Sequence, residues 1–140
     1  MAEEDITKMY EQLSESVAKE DYNNILNISQ KILNKDPNEA EAMQCKIISL
    51  INLSKTKELE EFLENKKENN KIAYAYSLYV NGKYKESIEF LEKNKGSNGN
   101  IRNQIETLLA QNYNKLGNFK NSYEYYKNLI LEKKEELENE

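Results

Sequence analysis

The chain has 140 residues, 32% of them charged and 38% apolar, and its 20 basic against 25 acidic side chains give a net charge of −5. That length suits a single domain, and that polarity suits thin helical layers, each burying one stripe, over a thick globular core. An acidic chain with scattered basic residues is a poor match to direct nucleic-acid binding, and the lack of any apolar run near the roughly 18–20 residues of a membrane span argues against membrane insertion.

The opening stretch, MAEEDITKMYEQL, has neither the basic flank nor the apolar centre of a secretion signal, so a cytoplasmic location is expected. Met9, Leu13 and Val17, with Tyr10 beside them, recur at helical spacing from about Ile6 to Ala18, and Lys19-Glu20-Asp21 interrupts them. The pattern resumes at Tyr22 with Ile25, Leu26, Ile28, Ile32 and Leu33, giving a second helix to about Asn34. Asp36-Pro37 closes it, because proline disfavours a helical conformation in the residue before it. Asn38-Glu39-Ala40-Glu41 then offers a cap and first-turn acids for a third helix, about Ala40 to Leu53. Ile48 and Leu53 widen its apolar stripe, so burial on more than one side is expected. Its run KIISLINL could also be a strand, but length and helical flanks decide for a helix. Cys45 is the one cysteine, so no internal disulfide can form, and its neighbours Ile47 and Ile48 favour a packed thiol over a reactive one.

Ser54-Lys55-Thr56 is the next break, and Leu59, Phe62 and Leu63 mark a short fourth helix followed by a polar connector from Glu64 to Lys71. The charge run from Glu58 to Glu68 reads as a solvated face. A fifth helix carries Ile72, Tyr74, Ala75, Tyr76, Leu78 and Tyr79 and stops at Asn81-Gly82, since both residue types tolerate a left-handed cap. Tyr84, Ile88, Phe90 and Leu91 form the sixth. KNKGSNGN, Lys93 to Asn100, is the most flexible link expected. The seventh helix, about Ile101 to Leu116, and the eighth, from about Lys120 to the Glu132 region, close the chain; its charged end either continues the helix or frays.

Aligning the breaks exposes a repeat. Gly117 follows Gly82 by 35 residues, Phe119 follows Tyr84 by 35, and Thr56 follows Tyr22 by 34. With Ala110, Tyr113, Gly117, Phe119, Tyr126 and Leu129 at the signature positions, this resembles the tetratricopeptide repeat, in which a small residue lets two helices approach and aromatics fill the space between pairs. Departures are Leu13, where the family prefers glycine, a shortened second repeat, and Pro37 as the sole closing proline. The expected architecture is all-α: a right-handed superhelical stack of about four hairpins, in one protein-binding domain over residues 1–140 with repeats near 6–37, 40–66, 71–94 and 101–131. The alternative is an antiparallel bundle with coincidental spacing.

Histidine is absent, and no clustered cysteines or glycine-rich phosphate loop occur, so no catalytic, metal or cofactor site is expected. Glu60-Glu61 and Glu135-Glu136 are adjacent on helices and point apart, which suits solvent. In the resembling fold, the first helices of the pairs line a concave surface that commonly holds a peptide. The repeat register puts Tyr10, Val17, Gln44, Ile48 and Ile51 there from the first half. From the second half it adds Tyr76, Tyr79, Gln111 and Asn114. Tyr76 and Tyr79 serve groove lining and inter-repeat packing equally well, and Tyr113 and Phe119 fall between helices. The basic clamp by which one subfamily reads acidic chaperone tails is missing, its positions holding Tyr10, Ser14, Gln44, Ile48, Ile72 and Tyr76.

The stretch ILNKDPNEAEAMQCKIISLI, with Ala42, Cys45-Lys46, Ile47-Ile48 and Leu50-Ile51, is similar to the amino-terminal repeat region of the 72-kilodalton subunits of the signal recognition particle. Ala75-Tyr76 with Tyr79, and the run from Gln111 to Leu116, share the likeness. It implies a scaffold that holds an extended or helical segment of the particle's 68-kilodalton subunit, within the machinery that targets nascent chains to the endoplasmic reticulum. In that family a basic carboxy-terminal segment attaches to the particle's RNA; none is present in these residues. The competing expectation is a co-chaperone or adaptor that binds a short peptide.

Overall fold

The computed structural model describes residues 5–96 and 99–139, and among them all regular structure is helical. The chain divides into two compact units, Met1–Leu59 and Glu60–Glu140. In the first, α1 (Ile6–Ala18) starts where the Asp5 carboxylate accepts the Thr7 N–H, and packs on α2 (Tyr22–Lys35). Met9 and Leu13 of α1 and Ile25, Ile28 and Ile32 of α2 are buried, as their spacing requires. α2 ends at the extended Asp36 before Pro37, and α3 (Ala40–Asn52) packs against it. The cap of α3 is Glu39, not Asn38: its Oε2 accepts the Ala42 N–H at 2.6 Å. Buried Ala42, Ile47 and Leu50 form one stripe of α3, whereas Ile48 is 49% exposed, so this helix is buried on one side and not on several.

α4 (Thr56–Leu63) begins in the first unit and ends in the second, with Leu59 and Leu63 fully buried. The second unit continues through a 3-10 turn, Lys67–Asn69, into α5 (Lys71–Val80), α6 (Tyr84–Lys93), α7 (Gly99–Lys115) and α8 (Phe119–Glu138). Each helix from α5 onward packs on the next, and α5 also meets α7. Ala75, Leu91, Ile105, Leu108 and Leu109 make a buried cluster flanked by Ile72, Tyr76, Ile88 and Tyr113. α7 starts two residues earlier than expected, and the acidic end stays helical to Glu138. Of the expected flexible link, Ser97 and Asn98 lie outside the described residues.

One turn recurs four times. After α1, Glu20 takes a φ of 53°, its N–H reaches Val17 O, and the Asp21 N–H reaches Ser16 O. Ser54, Gly82 and Gly117 repeat the arrangement with φ values of 58°, 77° and 79° and the same pair of backbone bonds. This double closure satisfies the last carbonyls of the first helix and turns the chain straight into the next. The 35-residue step from Gly82 to Gly117 is therefore structural, and so is the 34-residue step from Glu20 to Ser54. The second repeat is the shortened one, with a step of 28 residues from Ser54 to Gly82.

Within the second unit the hairpins are tied identically. Ser87 Oγ on α6 donates to Ala75 O on α5 at 2.9 Å, and Ser122 Oγ on α8 donates to Ala110 O on α7 at 2.8 Å. Both serines and both alanines are buried, and only a small residue at 75 and 110 lets the hydroxyl reach the opposite backbone. These are the small-residue positions that the repeat pattern singles out.

Candidate protein-binding faces

In the first unit, the face expected from the repeat register comprises side chains of α1 and α3. Val17 is 48% exposed, Ile48 and Gln44 are exposed, and Ile51 is half-buried. An exposed isoleucine and valine on helices that bury their other apolar residues are candidates for contact with a partner. Tyr10 is already engaged: its hydroxyl bonds the Glu39 carboxylate that caps α3. Desolvation first, then that bond and the fields of Glu39, Glu41 and Asp36, push the Tyr10 phenol up to about 12. Tyr10 thus braces α1 against the start of α3 as well as facing outward. Cys45 is half-buried, and burial followed by the charges of Glu41 and Glu39 pushes its thiol up, away from a nucleophilic thiolate.

In the second unit Tyr76 and Tyr79 are half-buried, with ring centroids 6.4 Å apart. Tyr79 also meets Tyr84 of α6 edge-on at 5.7 Å, so part of its surface closes the hairpin and the remainder is available. Gln111 and Asn114 are exposed on α7. Tyr113 is half-buried between helices as expected, stacked on Tyr125 of α8 at 6.0 Å. Phe119 is not between helices. It is 66% exposed at the start of α8, because no described element packs on that side of the helix.

Two polar clusters escaped sequence reasoning. Glu60 Oε1 accepts from Asn81 Nδ2 at 2.9 Å and Oε2 from Lys83 Nζ at 2.6 Å, so this carboxylate ties the end of α4 to the α5–α6 turn and does not merely face solvent. Desolvation opposes its ionisation, but the bonds from Lys83 and Asn81 together outweigh it and hold the group below the usual carboxylate range. The second cluster centres on Glu92. Tyr113 and Tyr125 hydroxyls donate to its Oε1 at 3.2 and 2.8 Å, and Lys95 Nζ lies 2.9 Å from Oε2. Lys95 also donates to the Tyr125 hydroxyl at 2.8 Å, which anchors one end of the expected flexible link. Desolvation again works against the Glu92 charge, and the bonds from Lys95 and Tyr125 reverse it. Apart from Lys95 beside Glu92, these partners lie 21 to 33 residues apart, beyond any local periodicity, so the sequence carries no signal for them.

The chain is thus a helical-hairpin repeat protein whose candidate sites are exposed and half-buried side chains on helix faces. No helix among the described residues is long and apolar enough to cross a membrane, and none of their His, Cys, Asp or Glu side chains gather in a group able to hold a metal ion. The chain resembles a segment of signal recognition particle subunit SRP72. It is 29% identical to SRP72 of Dictyostelium discoideum over 127 residues, covering 89% of this chain, and 29% identical to SRP72 of Schistosoma mansoni over 134 residues, covering 94%. It spans 18% of the length of each of those relatives. No protein-family model matches the chain.

Proposed function

We propose that this chain is a protein-binding scaffold of the signal recognition particle. The observation that carries the reading is the match to SRP72 along about nine-tenths of the chain. On this reading the chain forms one tetratricopeptide domain, its hairpins stack as a right-handed superhelix, and the first helices of the repeats line a groove. Val17, Gln44, Ile48 and Ile51, with Tyr10 at their edge, and Tyr76, Tyr79, Gln111 and Asn114 would contact a segment of the particle's 68-kilodalton subunit. The role is cytoplasmic and serves co-translational targeting to the endoplasmic reticulum. Contact with RNA comes through the rest of the particle, in keeping with the net charge of −5. Exposed Val17 and Ile48 and the half-exposed tyrosine pair support an apolar partner segment.

The test is calorimetry of the chain against segments of the 68-kilodalton subunit. Changing Tyr76 and Tyr79 together to alanine should cost about 2 kcal/mol of binding, a loss of roughly 30-fold, with helix content retained. Unchanged affinity sinks the assignment of that face. Capture from cell extract separates the competing co-chaperone reading: the 68-kilodalton subunit and particle RNA support the scaffold, and chaperones alone overturn it.

A further inference from the structure

Within the second unit, α5 and α7 are the first helices of successive hairpins, and they pack on each other. The 35-residue step sets Ile72, Tyr76 and Tyr79 on α5 at the register of Thr107, Gln111 and Asn114 on α7. The two stripes share one surface. Ile72, Tyr76 and Tyr79 pack against the buried cluster that includes Leu108 of α7, and Leu108 lies one turn from both Gln104 and Gln111. One stripe is aromatic and aliphatic, whereas the other is made of side-chain amides. Gln104, Gln111 and Asn114 are exposed, and none of these three amides makes a hydrogen bond among the described residues.

Charge is nearly absent from this surface, although 32% of the chain is charged. At about 100° per residue, Lys71 lies about 140° round α5 from Tyr76. Arg102 and Glu106 lie about 180° and 140° round α7 from Gln111, where they pair at 3.2 Å. Among the charged side chains of these two helices that leaves Lys115, in the last turn of α7. The surface therefore offers hydrogen bonds and apolar contact in place of charge. A carboxamide carries both an acceptor and a donor, so one such side chain pairs with the N–H and the C=O of a single extended residue. A helix has its main-chain groups paired internally, and docking its apolar stripe here would bury three amides without partners. From Gln104 to Asn114 the amides run about 15 Å along α7, the length of four or five extended residues. We propose that this face holds a protein segment as an extended strand, with Gln104, Gln111 and Asn114 pairing its main chain and Ile72, Tyr76 and Tyr79 receiving its apolar side chains. The proposal rests on the reading above that this face binds a protein, and adds to it the conformation of the segment, the means of its recognition and Gln104 as a contact.

The probe is the tightest binder among overlapping synthetic peptides of the 68-kilodalton subunit, measured by calorimetry against the whole chain. Gln111→Leu with Asn114→Leu keeps the bulk of both side chains and removes their hydrogen bonds. It weakens this peptide about tenfold or more while circular dichroism stays unchanged, and Gln104→Leu weakens it roughly threefold. An ester placed for one peptide amide at a time removes a main-chain N–H and leaves every side chain; it costs about fivefold at one central position or more. A hydrocarbon-stapled helical form of the same peptide binds at least about tenfold more weakly than the linear form. Leucine variants that bind as tightly as the parent, esters without effect at every position, or a stapled peptide that binds as well as the linear one overturn the strand and leave the protein-binding reading in place. Absence of binding by every peptide, or binding that Tyr76→Ala with Tyr79→Ala leaves intact, overturns that reading and this inference with it.

Discussion

The most exacting test of the second unit is Asn112. It is fully buried on α7, and its Nδ2 donates to Ser87 Oγ at 3.0 Å and to Leu108 O at 2.9 Å. Ser87 in turn donates to Ala75 O at 2.9 Å, so one chain of bonds runs from α7 through α6 to α5. Asn112→Ala removes two bonds worth about 1 kcal/mol each and leaves a small void, offset in part by the loss of the buried Oδ1, which has no hydrogen-bond partner among the described residues, for a cost of about 1–2 kcal/mol. Ser87→Ala should cost about 1 kcal/mol: Ala75 O keeps its place in the α5 ladder, and Asn112 keeps Leu108 O. Because the two residues share a bond, the double variant should lose less than the sum, with a coupling of about 0.5–1 kcal/mol. Urea unfolding followed by far-ultraviolet circular dichroism, with slopes compared across the four proteins, measures all three quantities. Additivity within about 0.3 kcal/mol, or an Asn112→Ala cost below about 1 kcal/mol, would refute the relay.

Acid titration probes the two carboxylate clusters. Glu60 and Glu92 are held below the ordinary range when folded, so their stabilisation is present above the unfolded glutamate value of about 4.3 and is lost as pH falls through their folded values. Glu60→Gln with Glu92→Gln should flatten the stability–pH profile below about pH 5, and a profile as steep as the parent's would count against both ties. At the turns, Glu20 holds a φ of 53° without being glycine, and Glu20→Gly should raise stability by about 0.5 kcal/mol. Gly117 sits at 79° with open space where a β-carbon would stand, so Gly117→Ala should cost about 1 kcal/mol from backbone strain alone. Thermal unfolding that moves Glu20→Gly downward, or leaves Gly117→Ala unmoved, would contradict the shared turn geometry.

Helix order and hairpin turns were legible because each depends on neighbours in sequence. The period of apolar residues set α1 at the expected bounds, and the Gly117-Asn118 break marked a real left-handed closure. Glu20 and Ser54 adopt the same closure with no glycine, so there the repeat register, and not the residue type, carried the signal. What could not be read were choices of partner across the fold. Glu60 looked like half of a solvated acidic pair until Asn81 and Lys83 came round the next turn to meet it. Lys95 sat in a stretch of loop-forming residues, and only the placement of Tyr125 makes it an anchor. Among the candidate contact residues, the apolar stripe of α3 pointed to burial of Ile48 while the repeat register put it on a contact face, and it is exposed; the bond from Tyr10 to Glu39 left no signal in the sequence.

Leu13, the departure from the repeat pattern, has a physical reading in the same terms. It occupies the place of Ala75 and Ala110, and Ile25 occupies the place of Ser87 and Ser122. Where the first helix carries alanine, the second carries a serine whose hydroxyl reaches the alanine carbonyl. Where it carries leucine, the second carries isoleucine, and both are buried. The hairpins thus carry two different pairs at one register position: small residues joined by a directional hydrogen bond, or two large apolar residues that are both buried. Neither half transfers alone. A leucine at 110 would crowd the Ser122 hydroxyl away from its acceptor, and a serine at 25 would leave empty the buried space that Ile25 fills. The pair, and not the single residue, is therefore the unit in which this repeat varies, which is why a pattern written one position at a time sees Leu13 as an exception.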